Sequence, residues 1–233
     1  MKKKILFVFL VFILLLSITG CGKKDNKEKN IEEKEPISGG WEILKENESY
    51  LPIEVANLFY KATINEDSPV LPIVLLGKQV VAGTNYMFLV QKDGEYFVYV
   101  IYEDLENNTS ISSRKKFDLT KYTNENIEIE AKVLSGGWIV EIPEEDKQSM
   151  KLDENTQKVF DKATEKLTGM SYYPLSVLGK QIVAGTNYAV IAYGTPSTKD
   201  PVNGVYILTL YKDLTGNCEM ISSSSIDLSE YND

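Results

Sequence analysis

At 233 residues, 43% hydrophobic and 25% charged, the chain has enough apolar material for one large core or two small ones. It holds no histidine, only two cysteines and a net charge of −9. This excludes histidine-based acid–base catalysis, a disulfide-stapled scaffold and electrostatic attraction to nucleic-acid phosphates.

The N-terminus reads as an export signal. Lys2, Lys3 and Lys4 precede an unbroken apolar run over 5–16, too short to span a bilayer as a helix. Ile18-Thr19-Gly20-Cys21 follows and resembles the lipobox of bacterial lipoproteins. The resemblance implies a signal peptide over 1–20, cleavage before Cys21, and acyl chains such as palmitate on that cysteine. The expected location is the outward face of a bacterial cell membrane, held by lipid. Loss of the three lysines takes the net charge from −9 to −12. Residues 21–37 are the lipidated cysteine and a charged stretch with too little apolar surface to offset ordering entropy, so they read as a disordered tether. Cys218 then has no partner cysteine, and no histidine is present to activate it.

Beyond the tether the sequence repeats. Ser38-Gly39-Gly40-Trp41 returns as Ser135-Gly136-Gly137-Trp138, and Leu76 to Tyr86 returns almost unchanged as Leu178 to Tyr188. Tyr102-Glu103-Asp104-Leu105 returns as Tyr211-Lys212-Asp213-Leu214, and Asp118, Leu119 and Tyr122 as Asp227, Leu228 and Tyr231. The offset grows from 97 through 102 to 109, as loop insertions in a common fold would make it.

Each repeat begins with a helix. In repeat one Val55, Leu58, Phe59 and Ala62 form an apolar stripe, with Pro52 near the first turn. In repeat two Asp153 is the N-cap, Val159, Phe160, Ala163 and Leu167 form the stripe, and Gly169 is the expected stop. Strands are expected over 70–81, 84–91, 95–102 and 109–118, with a turn at Lys92-Asp93-Gly94. Repeat two follows suit, with a longer loop between Gly194 and Gly204. Alternating Ile127, Ile129, Ala131 and Val133 suit a strand that completes repeat one or bridges to repeat two. The expected class is α+β: two tandem domains, 38–124 and 134–233, joined by 125–133. Each would be one helix packed on a four- to five-stranded antiparallel sheet.

Gln79-Val80-Val81-Ala82-Gly83 and Gln181-Ile182-Val183-Ala184-Gly185, each followed by Thr-Asn-Tyr, match the Q-x-V-x-G signature of the cystatin family. The glycine pairs ahead of each helix lie where cystatins carry their N-terminal glycine, so both repeats resemble cystatins over nearly the whole chain after the tether. The resemblance implies a reversible, wedge-type inhibitor that occludes the active-site cleft of papain-like cysteine endopeptidases. In repeat one the wedge would be Gly39, Gly40, Gln79, Val80, Val81, Ala82, Gly83, Leu105 and Glu106. In repeat two it would be Gly136, Gly137, Gln181, Ile182, Val183, Ala184, Gly185, Leu214 and Thr215. Cystatins carry Pro-Trp or Leu-Pro on the second hairpin; Leu105-Glu106 and Leu214-Thr215 depart from that.

Sheets of this architecture also host small-molecule isomerases and hydratases, but the sequence has no histidine for acid–base work and no nucleophile constellation, metal cluster or phosphate-cradling glycine loop, so the expectation is no enzyme activity, no catalytic residues, no metal and no cofactor apart from the lipid on Cys21. The expected partners are a papain-like protease and the membrane, with no nucleic acid and with the chain a monomer. The alternative is a non-inhibitory surface module that uses the fold to bind a protein, peptide or glycan, because a fold does not fix a function. Trp41 and Trp138 are expected to pack on the sheets.

Overall fold

The computed structural model describes residues 40–43, 51–123, 139–140 and 152–232, all within one compact unit, Pro36–Asp233. The signal segment, Cys21, the tether, Gly39, Gly136, Gly137, Trp138 and the alternating segment around Ile127 to Val133 lie outside the described residues.

The chain forms α1 (Ile53–Thr63), β1 (Val70–Val81), β2 (Gly83–Lys92), β3 (Glu95–Glu103) and β4 (Thr109–Lys116). Then come β5 (Ile139–Val140), α2 (Glu154–Thr164), β6 (Met170–Val183), β7 (Gly185–Pro196), β8 (Gly204–Lys212) and β9 (Cys218–Ser225). The class is α+β. Two helices accompany two antiparallel sheets, ordered β1-β2-β3-β4 and β5-β6-β7-β8-β9. The two-residue β5 pairs with β6 through Ile139 and Lys180, and Glu42 bridges to Lys78 on the matching edge of the first sheet. Register shifts after Pro72 and Leu75 in β1 recur after Pro174 and Val177 in β6, so the repeated sequence builds the same irregularities twice.

Helix α2 is capped as expected: the Asp153 carboxylate accepts from the Asn155 and Thr156 amides. It ends at Thr164 rather than at Gly169, so Leu167 falls in the connecting turn. Gly169, at φ +86°, instead turns the chain into β6. The insertion in repeat two extends the β7–β8 hairpin: Gly194 and Gly204 are cross-strand partners, which leaves the loop from Ser197 to Asn203.

Pleating sorts the side chains into layers. Phe88 of β2 packs edge-to-face on Phe59 of α1, with ring centroids 5.0 Å apart, so its neighbours Met87 and Leu89 face the other way. In the second sheet Val190, Ala192, Leu208 and Leu210 pack with Val159 and Phe160 of α2. The intervening Ala189, Ile191, Tyr193, Val205 and Ile207 belong to the core of repeat one. The order is therefore α1, first sheet, second sheet, α2, with one continuous core between the sheets.

The joint is approximately two-fold. The equivalent residues Tyr122 and Tyr231 meet, hydroxyl to hydroxyl, at 3.3 Å. The equivalent Lys115 and Ser224 each reach across: Lys115 donates to the Glu230 carbonyl at 3.2 Å, and Ser224 to the Tyr122 carbonyl at 3.1 Å. Tyr96 donates to the Leu178 carbonyl and Tyr193 to the Leu75 carbonyl, both at 2.9 Å. Trp41 packs against this core, and its indole N–H donates to Asn232 at 3.0 Å.

Among the described residues, a charged network of this kind is found in repeat one. Glu66, nearly buried beside the end of α1, accepts from Lys92 at 2.9 Å and from Arg114 at 2.6 Å. Burial pushes its carboxyl up, but the hydrogen bonds from Lys92 and Arg114 outweigh this and hold it below the usual range.

Two hydroxyls in the second sheet, Thr209 Oγ1 and its cross-strand neighbour Ser222 Oγ, are buried without a hydrogen-bond partner. The residue equivalent to Thr209 in repeat one is Val100. Thr209→Val should therefore stabilise the protein by about 1 kcal/mol, because it removes an uncompensated desolvation at constant shape. Thermal unfolding checks this: a Tm about 2–4 °C higher is expected.

Candidate functional site

The β1–β2 and β6–β7 turns are as tight as the sequence suggested. Val81 pairs with Gly83, leaving Ala82 alone at the tip, and Val183 pairs with Gly185 around Ala184. Gly83 and Gly185 have φ of +129° and +137°, a region that side-chain-bearing residues avoid. A Cβ on Gly83 would also lie 2.8 Å from the Tyr102 ring, and one on Gly185 2.7 Å from the Tyr211 ring. Those tyrosines lock the turns: the Tyr102 hydroxyl donates to the Ala82 carbonyl, and Tyr211 to the Ala184 carbonyl at 2.5 Å.

Gln79 and Gln181 have an internal role. Each accepts a hydrogen bond, at 2.7 Å, from the amide of the cross-strand asparagine, Asn85 or Asn187. The apolar residues between glutamine and glycine are left outside: Val80, Val81 and Ile182 are exposed, and Val183 is half-buried.

The second loop follows β3 or β8. Asp104 accepts from the amides of Glu106 and Asn108 at 2.8 and 2.9 Å and from the Asn108 side chain. Asp213 repeats this with Thr215 and Asn217. The hydrogen bonds from Asn217 and Thr215 pull the Asp213 carboxyl down to about 2, and those from Asn108 lower that of Asp104, so both clamps stay charged at neutral pH. Each clamped loop holds one leucine outward: Leu105 is 84% exposed and Leu214 86%.

Sheet pairing brings these pieces together. Thr84, just after the first turn, faces Glu103, just before the second loop; Thr186 and Lys212 match in repeat two. The trunk joins them in repeat one. Because Glu42 pairs antiparallel with Lys78, the exposed Gly40 lies alongside the Val80 end of β1. The trunk positions Gly39, Gly136 and Gly137 lie outside the described residues. The two ends are not side by side, since Tyr96 and Tyr193, at the far ends of their sheets, each contact the middle of the other repeat.

No protein-family model matches this sequence, and no curated protein is significantly similar to it. Among the described residues no group of histidine, cysteine, aspartate or glutamate is arranged to hold a metal ion. Cys218 is a half-buried free thiol at the start of β9. What each end offers is a stiff, locked backbone carrying exposed aliphatic side chains.

Two functional pieces escape the sequence motif. The tyrosine locks sit inside the repeated Tyr-x-Asp-Leu block, but nothing in that block says where the ring goes. The Asp–Asn clamps have a readable signal, Asp104 and Asn108 matched by Asp213 and Asn217 at the same spacing. The ends also differ in charge: Glu103 and Glu106 of repeat one are Lys212 and Thr215 in repeat two.

Proposed function

We propose that the chain is a reversible inhibitor of papain-like cysteine proteases, built as two cystatin-like repeats with one helix on each sheet. It would be exported and anchored outward to a bacterial membrane through lipid on Cys21. The observation that carries this reading is the coincidence, at one end of repeat one, of Gly40, the Val80–Ala82 turn and the Leu105 loop, on a backbone fixed by its own hydrogen bonds. Such an edge plugs a cleft without covalent chemistry, so neither a nucleophile nor a histidine is needed. A preformed edge loses little conformational entropy on docking, so a modest apolar contact suffices for tight binding. Glycine at the trunk lets the backbone pass close to a cleft wall without a side-chain clash.

Titration of residues 36–233 against papain tests this. Reversible, competitive inhibition at micromolar concentration or below is expected. No inhibition at high micromolar concentration would remove the proposal.

One observation favours the second reading, a non-inhibitory binding module. The Gln79–Asn85 bond and the approach of Tyr102 to Gly83 account for the glutamine and the glycine as hairpin architecture. A protein, peptide or glycan bound through the same ends, in a chain that leaves papain untouched, would select that reading.

A further inference from the structure

The two helices occupy equivalent outer layers, yet one strip along their solvent faces differs in character; beside it α1 also exposes Glu54 and Lys61. Along α1 and its C-cap residue one exposed stripe is Ile53, Asn57, Tyr60 and Ile64, which helical spacing places within one narrow arc. Ile53 is 66% and Ile64 78% exposed, and more than half of Tyr60 is open to solvent. The equivalent residues along α2 are Glu154, Lys158, Asp161 and Glu165. That stripe is charged, with Lys158 paired to Glu154 at 2.6 Å. The rest of α1 satisfies the core with Val55, Leu58 and Phe59, so the outer isoleucines do nothing for the fold.

We infer that the outer face of α1 is a bilayer-contact surface on which the protein rests. The inference depends on the lipidation of Cys21 for its occupant. Eighteen residues separate Cys21 from Gly40, a chain that reaches at most about 65 Å and spans about 25 Å as a coil. This keeps repeat one, the repeat that bears α1, close to the lipid, so a weak surface contact acts at high effective concentration. Isoleucine and tyrosine suit the boundary between headgroups and acyl chains. Anionic headgroups would repel Glu154, Asp161 and Glu165, and the layer order puts those residues on the side opposite α1. The lipid thus sets the distance and the helix face sets the orientation, with α2 turned toward the exterior.

The test uses chain 21–233 with Cys218→Ser, coupled through Cys21 to a maleimide lipid in phosphatidylcholine vesicles. Chemical coupling separates the result from the question of lipidation in the cell, which mass spectrometry of the membrane fraction answers independently. Tryptophan is introduced by Tyr60→Trp or by Asp161→Trp, and the emission shared by Trp41 and Trp138 is subtracted. With brominated acyl chains, the Tyr60→Trp signal should shift to the blue and be quenched, and the Asp161→Trp signal should do neither. Ile53→Glu with Ile64→Glu should abolish the quenching at position 60 with an unchanged melting temperature. Equal quenching at the two positions, or none at position 60, overturns the inference. So does a concentration-dependent self-association of the uncoupled chain that the two glutamates remove, since the stripe would then belong to a second copy.

Discussion

Placing aspartate at Val80, Leu105, Ile182 and Leu214 together is expected to weaken inhibition of papain about 100-fold, or by about 3 kcal/mol, without changing the melting temperature. All four side chains are exposed, two on the tight turns and two on the clamped loops. In the free protein each carboxylate would stand in water, so stability should move by no more than about 0.5 kcal/mol. In a complex each would be driven into a cleft wall with no cation to meet it, and desolvation of an unpaired charge opposes binding strongly. Inhibition constants from steady-state kinetics and thermal unfolding of the same preparations provide both readouts. Unchanged inhibition would show that these ends are not the contact surface, even if the protein inhibits by another route.

These positions discriminate better than the glycines do. Replacing Gly83 forces a side chain into the Tyr102 ring and away from its preferred backbone region, so a loss of function there would not separate contact from architecture. The aspartates change the surface and leave the lock in place.

Repeat one alone, residues 36–124, is expected to be insoluble or to self-associate, whereas 36–233 should be monomeric and unfold in one transition. Without repeat two, the sheet face bearing Met87, Leu89, Tyr96, Val98 and Val100 would be open to water; all five are now buried. Exposing them forfeits on the order of 10 kcal/mol of burial, comparable to the whole stability of a domain. It also leaves an apolar patch of the kind that drives association. Sedimentation and calorimetry decide the matter. A monomeric, folded 36–124, or two separate transitions in the whole unit, would mean that the shared core contributes little.

Much of the site was legible in the residues. The tight turn follows from a glycine after a run of strand-forming residues, and its duplication fixed the equivalences used throughout. Val80 and Val81 could be placed at a strand end beside the turn, and Leu105 in a loop, from spacing. The sequence was less informative about Gln79, whose partner Asn85 lies across a hairpin. It was silent on Tyr102, whose ring reaches a carbonyl twenty residues away in the chain.

By itself, the order of residues determined the local elements: two amphipathic helices, the strands, their turns and the fact of repetition. These depend on periodicity and on the backbone preferences of a few residues, which neighbours in sequence already settle. Only the tertiary structure decided that the two repeats share one core, that Tyr122 meets Tyr231, and that the two turn-bearing ends sit apart. The central strands β2, β3, β7 and β8 are apolar on both faces, and such a pattern says that both faces are covered without saying by what. A helix and a second sheet satisfy it equally well, and the choice between them is made by shape and long-range contact.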